Sequence, residues 1–201
     1  MSIEKLIATK KAVVFGLDNV LYPEKDYLLQ VYYLFSEFMA YTLQLDAKSM
    51  IAFMQEEFAQ SGSDQLFAKT AAQFDIPLNF EANFERLHQN ARLPLKLLLY
   101  KKVLELLQDL VVDRKQIFLL VDGNPEQQLN KIRQMEWHGI EPYLKVYFTE
   151  EFSAKPSPES FIFILENNEL AKADMLLVGH SKADENFAKN VGVDYLSLDE
   201  I

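Results

Sequence analysis

Short, largely apolar runs followed by turn-forming residues punctuate the chain at residues 12–15 (Ala-Val-Val-Phe), 116–121 and 175–178. They show no polar alternation. An unbroken apolar run of this length suits a strand covered on both faces, as in a parallel sheet. Weaker runs at 145–148 and 194–198 add two further strands. Helical spacing separates these later runs. Pro125 opens one helix, with Gln128, Ile132 and Met135 at helical intervals; a second runs from Pro156 past Phe161 and Leu165; a third covers residues 182–190. Proline fits a first helical turn because it has no amide hydrogen to lose there. From Lys96 onward the alternation predicts right-handed strand–helix–strand units, an α/β fold with a Rossmann-like three-layer core around a parallel sheet.

Residues 23–93 break this rhythm. They hold no convincing strand and read as helices over 27–45, 47–60, 63–74 and 79–89, with breaks at Ser61-Gly62 and Ile76-Pro77. So much helix between the first and second strands exceeds what a crossover needs. The expected organisation is a core made of residues 1–22 and 94–201, with an all-helical domain inserted over 23–93. The first inserted helix is apolar almost all round, through Tyr27, Leu28, Val31, Tyr32, Phe35 and Met39. Two readings stand: a central helix of a small bundle, or a surface lining a pocket or dimer contact.

Composition narrows the functional classes. Hydrophobic residues make up 49% of the chain and aromatics 12%, enough for a large core. There is no repeat at a fixed period. A net charge of −10 argues against nucleic acid and against anionic membrane surfaces as partners. With no cysteine, the chain has no disulfide, thiolate metal site or cysteine nucleophile. Residues 1–11 lack an apolar signal core, and no apolar run is long enough to span a bilayer, so a cytoplasmic protein is expected.

In open α/β sheets ligands bind beyond the carboxyl ends of the strands. The first strand leads into Gly16-Leu17-Asp18-Asn19-Val20-Leu21-Tyr22-Pro23. This resembles the first motif of the haloacid dehalogenase-like hydrolases, in which a strand ends in two aspartates one residue apart. The resemblance implies a first aspartate that attacks a phosphate ester and a second that serves as acid and base. Asp18 matches the second; the nucleophile's position is Gly16, which has no side chain. The plain alternative for Asp18 is a turn aspartate bonded to nearby amides.

Three further segments resemble the family's remaining motifs in order. Val121-Asp122-Gly123-Asn124-Pro125, followed by Gln127-Gln128 and Lys131, is similar to a Thr-Asn-Gly-Asn-Pro motif with its Gln-Gln-x-x-Lys helix. Val121 replaces the phosphate-binding hydroxyl. Asn124 keeps its place as a phosphate-binding candidate, while Asp122 and Glu126 add negative charge where an anion would sit. Lys155, in Ser153-Ala154-Lys155-Pro156-Ser157-Pro158, matches the lysine expected to face the phosphate. Gly179-His180-Ser181 and Asp184 resemble the magnesium-binding motif, with His180 in place of its first aspartate.

The resemblance therefore implies the fold, a helical cap and magnesium, but the replaced residues leave no complete magnesium set, and no cofactor is expected. Histidine suits borderline metals better, so a site of His180, Asp184 and Asp18 is weighed against a histidine held by local hydrogen bonds. Loss of a nucleophile typically costs about 10⁴- to 10⁶-fold in rate. The expected function is a catalytically impaired, haloacid dehalogenase-like protein that binds a small molecule, a protein partner or a second copy of itself. The alternative is a phosphoester hydrolase in which Asp18 activates water and Lys155 holds the anion. A structural or regulatory protein without a small-molecule ligand is the third reading.

Overall fold

The structure is a computed structural model and describes residues 3–153 and 157–201. A short helix α1 (Ile3–Ala8) leads into strand β1 (Ala12–Phe15). Four helices follow: α2 (Glu24–Leu43), α3 (Ala47–Ser61), α4 (Leu66–Phe74) and α5 (Glu81–Asn90). The chain then forms β2 (Leu97–Leu98), α6 (Lys101–Val112), β3 (Gln116–Val121), α7 (Pro125–Arg133), β4 (Met135–Glu136) and β5 (Leu144–Phe148). Helix α8 (Glu159–Asn167), β6 (Met175–Gly179), α9 (Lys182–Val191) and β7 (Asp194–Ser197) complete it.

Five strands make one parallel sheet in the order β5-β3-β1-β6-β7. Ala12 lies opposite both Gln116 and Met175, which puts β1 at the centre. Because successive side chains point to opposite faces, each central strand feeds two cores. Val13, Phe15, Leu119 and Val178 join one, under residues of α6 and α7 such as Leu107 and Ile132. Val14, Phe118, Leu120 and Leu177 join the other, under Phe161 of α8 and Phe187 of α9. This double covering is why the strand sequences show no polar alternation. The result is the three-layer α/β core expected from the sequence.

Several local expectations are corrected. Met135 does not continue α7; it sits in β4, which pairs in parallel with β2 to form a separate two-stranded sheet. The helix expected from Pro156 begins at Glu159, and Pro156 itself lies outside the described residues. The helix expected from residue 63 starts at Leu66. Helices α1 and α6 were not anticipated.

The inserted helices are tied together by α2. Its Tyr27, Val31, Tyr32, Phe35 and Met39 are all buried, in favour of the central-helix reading. The Phe35 ring meets those of Phe67 at 5.9 Å and Phe84 at 5.0 Å, both edge-on. Aromatic pairs of this geometry add about 0.5–1.5 kcal/mol beyond area burial. Asp46 starts α3 by accepting from the amides of Lys48 and Ser49, which fixes the α2–α3 corner. The insert is fastened to the core by polar contacts as well: Leu95 N donates to Gln30 Oε1 at 2.8 Å, and Asn130 Nδ2 to Ala91 O at 3.0 Å.

Candidate ligand cleft

Beyond Phe15 the backbone turns tightly. Leu21 N donates to Leu17 O at 2.9 Å, and Asn19 takes a left-handed φ of 59°. Asparagine tolerates that conformation better than most side chains. Its side chain then joins the loop to α2: Nδ2 donates to Glu24 Oε2 and Oδ1 accepts from Glu24 N, both at 3.1 Å. The turn brings Asp18 under α7.

Asp18 is more engaged than a turn aspartate would be, and its partners are side chains, not nearby amides. Oδ1 accepts from the Tyr22 hydroxyl at 2.6 Å. Oδ2 accepts from Lys131 Nζ at 2.7 Å and from Gln128 Nε2 at 3.1 Å. The Lys131 side chain is 2% exposed and that of Asp18 21%. A buried ammonium is tolerated only where a counter-charge and further contacts compensate for lost water. Asp18 supplies the charge, and the Tyr27 ring, its centroid 4.9 Å from Nζ, supplies a second contact. Burial first, and the Asp18 charge second, push the Tyr22 phenol far above its usual range, so it donates without titrating. Burial, with Asp18 again second, raises Glu24, while Lys131 and Asn19 partly offset it.

Gln128, Lys131 and Tyr22 were missed as site residues by sequence reasoning. A signal was there. Pro125 sets the start of α7 and Ile132 must face the core, which places Lys131 and Gln128 on the same inward side.

A small cavity of about 90 Å³ opens beside this network, lined by Gly16, Leu17, Asp18, Val121, Asp122 and Asp184. It has room for a few waters or one small group. Gly16 lies at its floor without needing glycine's backbone freedom. A Cβ there would meet Val20 Cγ2 at 3.1 Å, a contact tight enough that Val20 would have to give by a few tenths of an ångström. Gly179 differs, because a Cβ would stand 2.5 Å from Asp184 Cβ.

The other motif positions hold structural bonds. Asn124 Oδ1 caps α7 by accepting from Gln127 N at 3.1 Å. Asp122 Oδ1 accepts from Thr149 Oγ1 at 2.9 Å. Asp184 Oδ2 accepts from the amides of His180 and Ser181 and from Ser181 Oγ, closing a capping box on α9. Val121 is buried in the sheet core, and His180 is exposed at the end of β6. Lys155 lies outside the described residues.

Magnesium is usually held through one or two carboxylates, with waters and substrate oxygens completing its octahedron. Here position 16 offers none, and Asp18 Oδ2 already faces an ammonium. Among the described residues no group of three histidine, aspartate or glutamate side chains is placed to hold a metal ion, so His180, Asp184 and Asp18 do not converge as a set.

His88, on α5, is a further unanticipated residue of this region. The Tyr27 hydroxyl donates to its carbonyl, and its Nδ1 is buried without a partner. Burial, and secondarily the Lys131 charge, hold the imidazole down at about 4. Above pH 6.5 it is neutral folded or unfolded and contributes no pH dependence. Between about 6.5 and 4 the unfolded chain takes up a proton that the fold refuses, so stability is lost as pH falls. Urea unfolding at pH 7.5 and 4.5 is expected to show His88→Gln gaining stability relative to wild type at the lower pH. An unchanged gap would show that His88 is not held neutral.

The sheet order, the helices on both faces and a cleft at the carboxyl ends of β1, β3 and β6 define a Rossmann-like α/β protein. The chain belongs to the haloacid dehalogenase-like hydrolases, whose family model matches residues 13–198. No curated protein matches the sequence. Among solved structures, a Geobacter sulfurreducens HAD-superfamily hydrolase of subfamily IA, variant 1, aligns with a TM-score of 0.62 at 16% identity, over 94% of this chain and 87% of that one. A Bacillus subtilis chain, YfnB, solved bound to magnesium, gives 0.58 at 14% identity, over 92% and 85%. The L-2-haloacid dehalogenase of Xanthobacter autotrophicus, solved with chloropropionic acid covalently bound, gives 0.56 at 17% identity, over 92% and 76%. At these identities the likeness is one of fold.

Proposed function

We propose that this chain is a non-hydrolytic member of its family, whose cleft binds a small ligand or a protein partner without forming an aspartyl-phosphate. In this reading α2–α5 act as a cap over the cleft and the protein works in the cytoplasm. None of the described helices is long and apolar enough to cross a membrane. One observation carries the proposal. The remaining catalytic-type carboxylate, Asp18, has both oxygens engaged by Tyr22, Gln128 and a buried lysine, next to a glycine where the nucleophile would stand. To activate water as a base, Asp18 would have to break the ion pair and leave Lys131 buried and uncompensated. That weighs against the rearranged-hydrolase reading.

The test is turnover of an aryl phosphate with magnesium, manganese or zinc. Wild type is expected to show none above a blank with any of the three. Turnover that Asp18→Asn abolishes would overturn the proposal and establish a mechanism without the nucleophile. Gly16→Asp serves as a comparison, since position 16 lines the cavity and does not need glycine's backbone freedom. Activity gained only in that variant would locate the defect in the nucleophile alone.

A further inference from the structure

At the opposite end of the sheet, where β3 and β5 begin, a pocket of about 480 Å³ opens between the end of α6 and the 3₁₀ turn before β5. Val111 and Ile117 line it with Tyr143, and its charged lining is Arg114, Lys115 and Lys145. No carboxylate lines it, although acidic residues outnumber basic ones 30 to 20 along the chain.

Two of these cations are fixed, and by neutral groups. Lys115 Nζ donates to the carbonyls of Ala8 at 3.2 Å and Lys10 at 2.6 Å. Lys145 Nζ donates to Asn168 Oδ1 at 2.6 Å and lies 5.6 Å from the centre of the Phe118 ring. Among the described residues none of the three cations is in an ion pair. Holding a lysine still costs side-chain entropy. Here that cost is met without neutralising the charge. Tyr143, 58% exposed, offers a ring face at its rim.

We infer that this pocket is a binding site for a small organic anion, with a phosphate, phosphonate or carboxylate head against Arg114, Lys115 and Lys145 and a planar apolar body against Tyr143. It is separate from the cleft. Six residues of β3 extend about 16–20 Å from this end of the sheet to the other. It does not depend on what the cleft does.

The probe is phenylphosphonate, which resists phosphatase cleavage, followed by amide NMR with inorganic phosphate in parallel. Shifts are expected at residues 114–117 and 143–145. The Arg114→Glu/Lys145→Glu double variant should weaken binding at least tenfold while its circular dichroism stays unchanged. Lys115 is left intact because it ties α1 to the core. Tyr143→Ala, a milder change, should weaken phenylphosphonate binding and leave inorganic phosphate unaffected. Absence of binding at millimolar probe, shifts confined to residues 16–22, equal binding by the charge-reversed protein, or indifference to Tyr143→Ala would each overturn the assignment.

Discussion

Replacing Lys131 with methionine is expected to destabilise the protein by about 3–5 kcal/mol, the usual penalty for breaking a buried ion pair by removing one partner. Methionine keeps most of the lysine's volume, so the loss reports charge more than packing. Asp18 would then face Gln128 and Tyr22 with no cation beside it. Asp18→Asn should also destabilise, since it strands an ammonium that is 2% exposed. The double variant should lose less than the two single losses combined, because the partners left unpaired in each single variant are both gone. Urea unfolding of all four proteins measures the coupling. A loss below about 1 kcal/mol for Lys131→Met, the range of exposed pairs, would mean that Lys131 and Asp18 do not form a desolvated pair in solution.

Phe35→Ala is the second large effect. Phe35 is fully buried at the junction of α2, α4 and α5, against Phe67 and Phe84. Removing a ring from such a site costs about 3–5 kcal/mol through lost transfer energy and the cavity left behind. The molecule provides two probes for where the loss is felt. Circular dichroism follows the helices. Fluorescence follows Trp137, the single tryptophan, which is buried in the core and donates to Ile132 O at 2.8 Å. Because Gln30, Ala91 and Leu95 bond across the insert–core boundary, the two transitions are expected to coincide and move together. If helicity is lost before Trp137 fluorescence changes, the insert unfolds as a unit of its own.

The layered architecture is legible in the sequence because buried parallel strands leave apolar runs that nothing else in this chain imitates. Residues 12–15 and 116–121 have the bounds expected of them. The pair β2 and β4 is not legible: two residues cannot show a period, and Met135 at helical spacing from Ile132 points to the wrong element. Several motif positions line one cavity, since order along the chain and placement at strand ends survive even where the side chains have changed. They do not show what those side chains now do. Asn124 and Asp184 remain at their motif positions, yet both cap helices, a local role that the same residue types serve anywhere. Two of the three side chains bonded to Asp18, Gln128 and Lys131, come from α7, more than a hundred residues away in sequence. The register of α7 marks Lys131 as inward-facing, but only folding shows that Asp18 is the charge it meets.

The central place of β1 has a consequence during synthesis. This strand leaves the ribosome first, yet both its neighbours, β3 and β6, come from far downstream, about a hundred and about a hundred and sixty residues later. At ~5–20 residues per second, the nascent chain would carry an unpaired apolar strand for roughly five to twenty seconds before its first partner is made, and roughly ten to thirty before its second. During that interval the inserted helices, whose contacts are mostly with one another, are the part able to take shape. Residues 12–15 are where a co-translational chaperone would find its longest opportunity.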